Sequence, residues 1–104
     1  MALLQLTTIP LGTETVSVGD YVAEIQKELE KAGVPFSLND MGTVIEGNIS
    51  ELLAIIEKIY EIPFAKGAVR VVTQIVIDDR RDKQVHIGDK IHAVTQILQH
   101  QQGE

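Results

Sequence analysis

The chain has no cysteine. That absence removes thiol nucleophiles, CxxC redox chemistry and cysteine-ligated zinc or iron–sulfur clusters, and at 104 residues the chain needs neither a disulfide nor a metal to build a core. Basic charge is also scarce. Nine Lys and Arg stand against fifteen Asp and Glu, a formal charge of -6, and the basic residues are scattered rather than gathered on one face, so nucleic acid is not an expected partner. An acidic balance is an ordinary route to solubility and mildly favours a cationic ligand. Long hydrophobic runs are missing too, so no segment is expected to span a bilayer and no membrane partner is expected. The opening Met1-Ala2-Leu3-Leu4-Gln5-Leu6 is apolar but has no basic leader and runs into Thr7-Thr8 and Pro10. It does not read as a signal peptide, and a cytoplasmic location is the expectation.

Catalytic and metal-binding patterns are equally sparse. His86, His92 and His100 are not spaced i, i+4 and their acidic neighbours form no recognised ligand set, so they read as surface residues near a C-terminal helix and no metal is expected. No Ser, His and acid combination stands in a motif context. The adjacent Asp78 and Asp79 would point to opposite sides of a strand, which separates them for acid–base work. There is no Gly-rich phosphate cradle. An enzyme is not expected, nor a cofactor.

What the chain does have is clear punctuation. Leu3 to Leu11 alternates loosely and is closed by Pro10 and Gly12, as a first strand would be. Ser17 three residues before Asp20 resembles a capping box, and Val18, Val22, Ile25, Leu29 and Ala32 recur at helical spacing until Gly33. Val34 to Leu38, with Pro35, predicts a short edge strand that turns at Asn39-Asp40 into a second strand, Met41 to Gly47. Asn48 and Glu51 mark the next helix start, with Leu52, Ile55, Ile56 and Ile59 as its buried face. Pro63 removes an amide donor and crowds the carbonyl four residues back, so a kink or a short restarted helix ending at Gly67 is predicted. Ala68 to Asp78 is the longest strand, and Ile87, Ile91, Val94 and Leu98 predict a last helix before a polar tail at about 99–104.

The order βαββαβ plus a C-terminal helix is the α+β ferredoxin-like plan: one domain over residues 1–104, an antiparallel four-stranded sheet with two helices on one face. Such a sheet should alternate apolar with polar. In the last strand Val69, Val71, Thr73, Ile75 and Ile77 fall on one side, yet Val72 and Val76 lie on the other with Arg70, Gln74 and Asp78. Apolar residues on both sides predict burial against another copy or against the last helix, and self-association is the favoured expectation. That strand ends abruptly in Asp78-Asp79-Arg80-Arg81-Asp82-Lys83, a run that delivers charges of both signs to a sheet edge.

Three segments together resemble the thiamine-binding protein family once called uncharacterised protein family 45. They are Ile9-Pro10-Leu11-Gly12-Thr13 with Ser17-Val18, Met41-Gly42-Thr43-Val44-Ile45-Glu46-Gly47, and Gly67-Ala68-Val69-Arg70-Val71 running on to Ile77-Asp78-Asp79-Arg80-Arg81-Asp82-Lys83. The likeness spans roughly residues 2 to 95, and it rests on the order and spacing of the segments rather than on any one of them. The resemblance implies a ferredoxin-like fold, dimers or tetramers, and binding of thiamine or its hydroxymethylpyrimidine moiety without catalysis.

Thiamine joins an aminopyrimidine to a permanently cationic thiazolium, so its pocket needs an acceptor, a donor and apolar walls. Glu46 is a candidate acceptor if partly buried, and otherwise a solvated strand residue. Thr13 and Ser17 lie in the loop before the first helix, where hydroxyls and free amides can hold a ring nitrogen; Ser17 reads equally as a helix cap. Met41, Gly42 and Thr43 combine a polarizable wall, a missing side chain and a hydroxyl, or else core filling and relief of crowding in a hairpin. Asp78, Arg80 and Arg81 read first as an interface in which charges neutralise one another, and second as a ligand clamp. The alternatives to a binding protein are a homo-oligomeric structural or regulatory interaction module and an enzyme acting on a small heterocycle.

Overall fold

The computed structural model describes residues 1–12 and 19–102 together with the backbone of Val18. Its first strand, β1 (Ala2–Leu11), leads to helix α1 (Val18–Ala32), the hairpin β2 (Phe36–Asn39) and β3 (Gly42–Gly47), helix α2 (Ile49–Tyr60), the short α3 (Ile62–Ala65), strand β4 (Arg70–Asp79) and helix α4 (Asp89–Gln102). The sheet is antiparallel with order β2-β3-β1-β4. This is the predicted α+β ferredoxin-like arrangement, and the C-terminal helix is present as an addition to it.

Register decides which side chains share a face. Leu4 lies opposite Ile45 on β3 and Ile77 on β4, and Leu6 opposite Thr43 and Ile75, so these residues all point toward the helices. The residues between them, Leu3, Gln5 and Thr7 on β1, Val44 and Glu46 on β3, Val76 and Asp78 on β4, point to the other, open face. On the helix side Ala2, Leu4, Leu6 and Ile45 meet Ile25 and Leu29 of α1 and Leu52, Ile55, Ile56 and Ile59 of α2. Each fully buried aliphatic side chain there contributes roughly 1.5–3 kcal/mol of transfer free energy. The buried stripe of α1 is Tyr21, Ile25 and Leu29, at a spacing of four; Val22 is only half-buried and Ala32 is exposed, so the stripe is rotated one residue from the predicted one.

The ends of the elements follow local chemistry. Gly33 adopts φ 74° and its N–H donates to the carbonyls of Leu29 (3.2 Å) and Glu30 (3.1 Å), closing α1. β2 starts at Phe36 rather than Val34, because Pro35 has no N–H to give a ladder; its carbonyl accepts from Glu46 N–H at 3.1 Å instead. Asn48 stands at the N-cap of α2 in extended conformation, as the sequence predicts, although its side chain makes no cap bond. Pro63 sits in the first turn of α3, where a missing N–H costs nothing, and its carbonyl accepts from Ala68 N–H at 3.0 Å to steer the chain into β4.

Two regions lie outside this core. β4 is an edge strand, and Ile75, Val76 and Ile77 are exposed on both its faces. Helix α4 buries none of its residues, and the Cα radius of gyration is 16.3 Å against about 13 Å for a compact chain of this length. No helix among the described residues is long and apolar enough to cross a membrane.

Candidate functional site

The two neighbours of β1 pair with it over different lengths. β4 follows it from Ala2 to Leu11, whereas β3 stops at Leu6 opposite Thr43, because the hairpin turns back at Asp40-Met41. Beyond Leu6 the β3 side of β1 has no strand partner among the described residues. A cavity of about 370 Å³ occupies this step, between the overhanging Thr7–Ile9, the hairpin tip and helix α1. That volume falls in the range of small-molecule sites.

Its walls are mainly apolar. Leu6 and Ile9 come from β1, Val22 and Ile25 from α1, Leu38 and Met41 from the hairpin. Met41 is 82% exposed and stands at the rim, so it is free to move against a ligand ring. Gly42 is shaped by crowding: at φ 154°, a Cβ there would lie 2.9 Å from the Leu6 carbonyl oxygen and 2.9 Å from Thr7 Oγ1. The absent side chain lets the hairpin tip close onto β1, and Thr7 Oγ1 locks it there by donating to the Met41 carbonyl at 3.1 Å.

The polar lining residues are Thr7, Thr8, Gln26, Asn39, Asp40 and Thr43. Thr43 is buried on the helix face, and its Oγ1 accepts from Gln26 Nε2 at 3.1 Å. Gln26 Oε1 is shut off from solvent and has no donor among the described residues; Tyr21 Oη, on the same helix, is in the same condition. Asp40 is the one charged residue among the described lining residues. The arrangement offers apolar faces for a flat ring, an amide–hydroxyl pair at its edge and one carboxylate at the turn.

The predicted site residues divide between places. Met41, Gly42 and Thr43 come together in this cavity. Thr13 and Ser17 lie outside the described residues, although α1 begins directly after them. Glu46 is three residues beyond Thr43 on β3, an odd separation that sends it to the open face. It is 7% exposed and fully engaged: Ile87 N–H donates to Oε1 at 2.8 Å, and His86 Nδ1 lies 3.0 Å from Oε2. The Asp89 carboxylate accepts from His86 N–H at 2.9 Å, which braces the same loop from its far side. His86 is thus a partner of Glu46 across 40 positions rather than an unattached surface residue. Burial alone would raise the Glu46 carboxyl, but the His86 hydrogen bond, the Ile87 N–H and the imidazolium charge together bring it below its ordinary range. The hydrogen bond to Glu46 and then its charge hold His86 above its ordinary value.

Asp78, Arg80 and Arg81 are at the far end of the sheet from the cavity. Asp78 faces the open side opposite Leu3, while Arg80 grips Asp82 through Nε (2.7 Å) and Nη2 (2.9 Å), and Arg81 Nη2 donates to Asp79 at 2.9 Å. The Arg80 hydrogen bond lowers Asp82 to about 2. Arg80 and Arg81 border a cleft of about 540 Å³ with Met1, Asn48 and Ser50, but both guanidiniums are already paired within their own run. No group of three or more His, Asp or Glu among the described residues is placed to hold a metal.

No motif in the sequence singles out Gln26. The only local sign of it is its place four residues after Val22, on the flank of the α1 stripe; its partner Thr43 is 17 residues away.

A family model described as thiamine-binding protein matches residues 4–95. The uncharacterised protein family 45 protein YqgV of Bacillus subtilis is 48% identical over 103 residues, covering 95% of this chain and 99% of that protein. A family 45 protein of Methanothermobacter thermautotrophicus is 36% identical over 99 residues, covering 94% and 100%. Among solved structures, protein MJ1052 of Methanocaldococcus jannaschii superposes with a TM-score of 0.78 at 31% identity, covering 90% of this chain and 95% of that one.

Proposed function

Since the chain belongs to the thiamine-binding protein family, we propose that it is a non-catalytic binding protein for thiamine or its hydroxymethylpyrimidine moiety, with the hairpin cavity as its site. The observation that carries this reading is the cavity's make-up. Apolar walls of Leu6, Ile25, Leu38 and Met41 adjoin the hydrogen-bonded pair Gln26 and Thr43, with Thr7, Thr8 and Asn39 as further polar lining, and Asp40 adds one negative charge. An aminopyrimidine ring suits the walls and the polar pair, and a thiazolium cation suits the carboxylate and the acidic chain as a whole.

The reading also takes the protein to act as a homo-oligomer. Val72, Ile75, Val76 and Ile77 of β4 and Ile91, Val94, Ile97 and Leu98 of α4 are exposed in one chain. On α4 the residues Ile91, Val94 and Leu98 fall at i, i+3 and i+7, one stripe left about half exposed or more. A second copy supplies surfaces of the same character, an apolar edge strand and an apolar helix stripe.

The test is calorimetric titration of thiamine into protein stripped of bound small molecules, with light scattering on the same sample. Saturable binding near one ligand per chain, or one per two chains, supports the assignment, and a mass above one chain supports the assembly. No heat and no saturation would refute thiamine binding, and a strict monomer at micromolar concentration would refute the oligomer.

A further inference from the structure

We propose that Gln26 is the specificity-determining residue of the hairpin cavity, reading an amino substituent on the ligand ring through its amide oxygen. This rests on the cavity being the ligand site. Gln26 is half-buried on α1 with its Nε2 committed to Thr43 Oγ1 at 3.1 Å, while its Oε1 is closed off from water and has no donor among the described residues. Buried side-chain acceptors are rarely left unpaired in folded proteins. The fold gains nothing from this one, because the residue is on the flank of α1 and the core stripe of Tyr21, Ile25 and Leu29 is complete without it.

With the nitrogen tied to Thr43, the oxygen is the uncommitted end of the amide. The terminal torsion of a glutamine is broad, and a turn about that bond exchanges the two ends of the amide: Oε1 comes to Thr43, whose hydroxyl donates to it in place of accepting from Nε2, and its second lone pair faces a ring lying against Leu6 and Ile25. A ligand amine then donates to Oε1. A ligand with an oxo group in place of the amine puts oxygen against oxygen.

The experiment titrates thiamine and oxythiamine, which carries a 4-oxo group in place of the 4-amino group, into wild type, Gln26→Leu and Gln26→Glu, with circular dichroism to verify folding. Wild type is expected to prefer thiamine by about tenfold or more. Gln26→Leu should bring the two ligands to within about twofold by losing thiamine affinity, and Gln26→Glu, whose carboxylate still accepts from an amine, should keep the preference. Equal binding of both ligands by wild type, or a preference unmoved in folded Gln26→Leu, overturns the role of Gln26 and leaves the cavity reading standing. If neither ligand binds wild type, the cavity reading falls and the Gln26 assignment falls with it.

Discussion

Replacing Glu46 by alanine is expected to release the loop before α4 from the sheet while leaving the sheet folded. Glu46 is buried, but on the open face; the hydrophobic core is on the other side of β3, so the substitution leaves no core cavity. What it removes is the acceptor for Ile87 N–H at 2.8 Å and the partner of His86 Nδ1 at 3.0 Å. A hydrogen bond to a charged group contributes about 1.5–3 kcal/mol net, and for the Ile87 bond alone a loss of about 2 kcal/mol corresponds to an opening equilibrium raised about 30-fold. Amide hydrogen exchange is the assay, because it separates local from global opening. Ile87 should exchange about 30-fold faster in the variant, with protection in β1 and β3 unchanged. Glu46→Gln keeps an acceptor for Ile87 and loses the charge, so its effect should be several-fold smaller. Unchanged exchange at Ile87, or protection lost throughout the sheet, would refute the idea that Glu46 is a tether on the open face.

The pH response of this tether has a definite sign. His86 is raised in the folded state, so its contribution is complete below the ordinary histidine value and is lost as pH rises through the raised one; Glu46 is lowered, so its contribution is complete above the ordinary carboxylate range and is lost as pH falls through the lowered value. Both groups also face the Asp89 carboxylate, which raises each of them, so the tether should be tightest at roughly pH 5–6.5, and an NMR titration of the His86 ring should move toward the ordinary value in Glu46→Gln. Gly42→Ala places a methyl 2.9 Å from the Leu6 carbonyl oxygen at φ 154° and should destabilise the protein by about 1–3 kcal/mol in chemical denaturation; an unchanged midpoint would contradict the close approach of hairpin and β1.

Most of the fold was legible because its signals are local. Leu52, Ile55, Ile56 and Ile59 lie within one helical stripe, Gly33 ends α1 where its left-handed φ is needed, and Pro63 interrupts α2 and starts α3 through the chemistry of one missing N–H. The strand order follows from element order by general topological rules. The errors were local too. Tyr21 takes the core place expected for Ala32, as its spacing of four from Ile25 allows, and β2 starts at Phe36 rather than Val34 because of Pro35.

The site was less legible because its geometry comes from registers. The cavity exists because β1 outruns β3 by the length that the hairpin turn leaves, and neither strand's own sequence records where its partner stops. Gln26 meets Thr43 across 17 positions, and Glu46 meets His86 across 40, separations over which no periodicity carries information. One consequence was nevertheless available from period two alone. Thr43 and Glu46 are an odd number of residues apart on one strand, so within a single chain they serve opposite faces of the sheet: Thr43 the cavity under α1, Glu46 the tether of the C-terminal arm. Through that tether the carboxylate acts on where the exposed stripe of α4 sets off from the sheet. Under the proposed function Glu46→Gln should therefore shift the mass of the assembly and Gln26→Leu the affinity for thiamine, and measuring both quantities on both variants separates the two roles; a change of mass in Gln26→Leu alone would contradict this division.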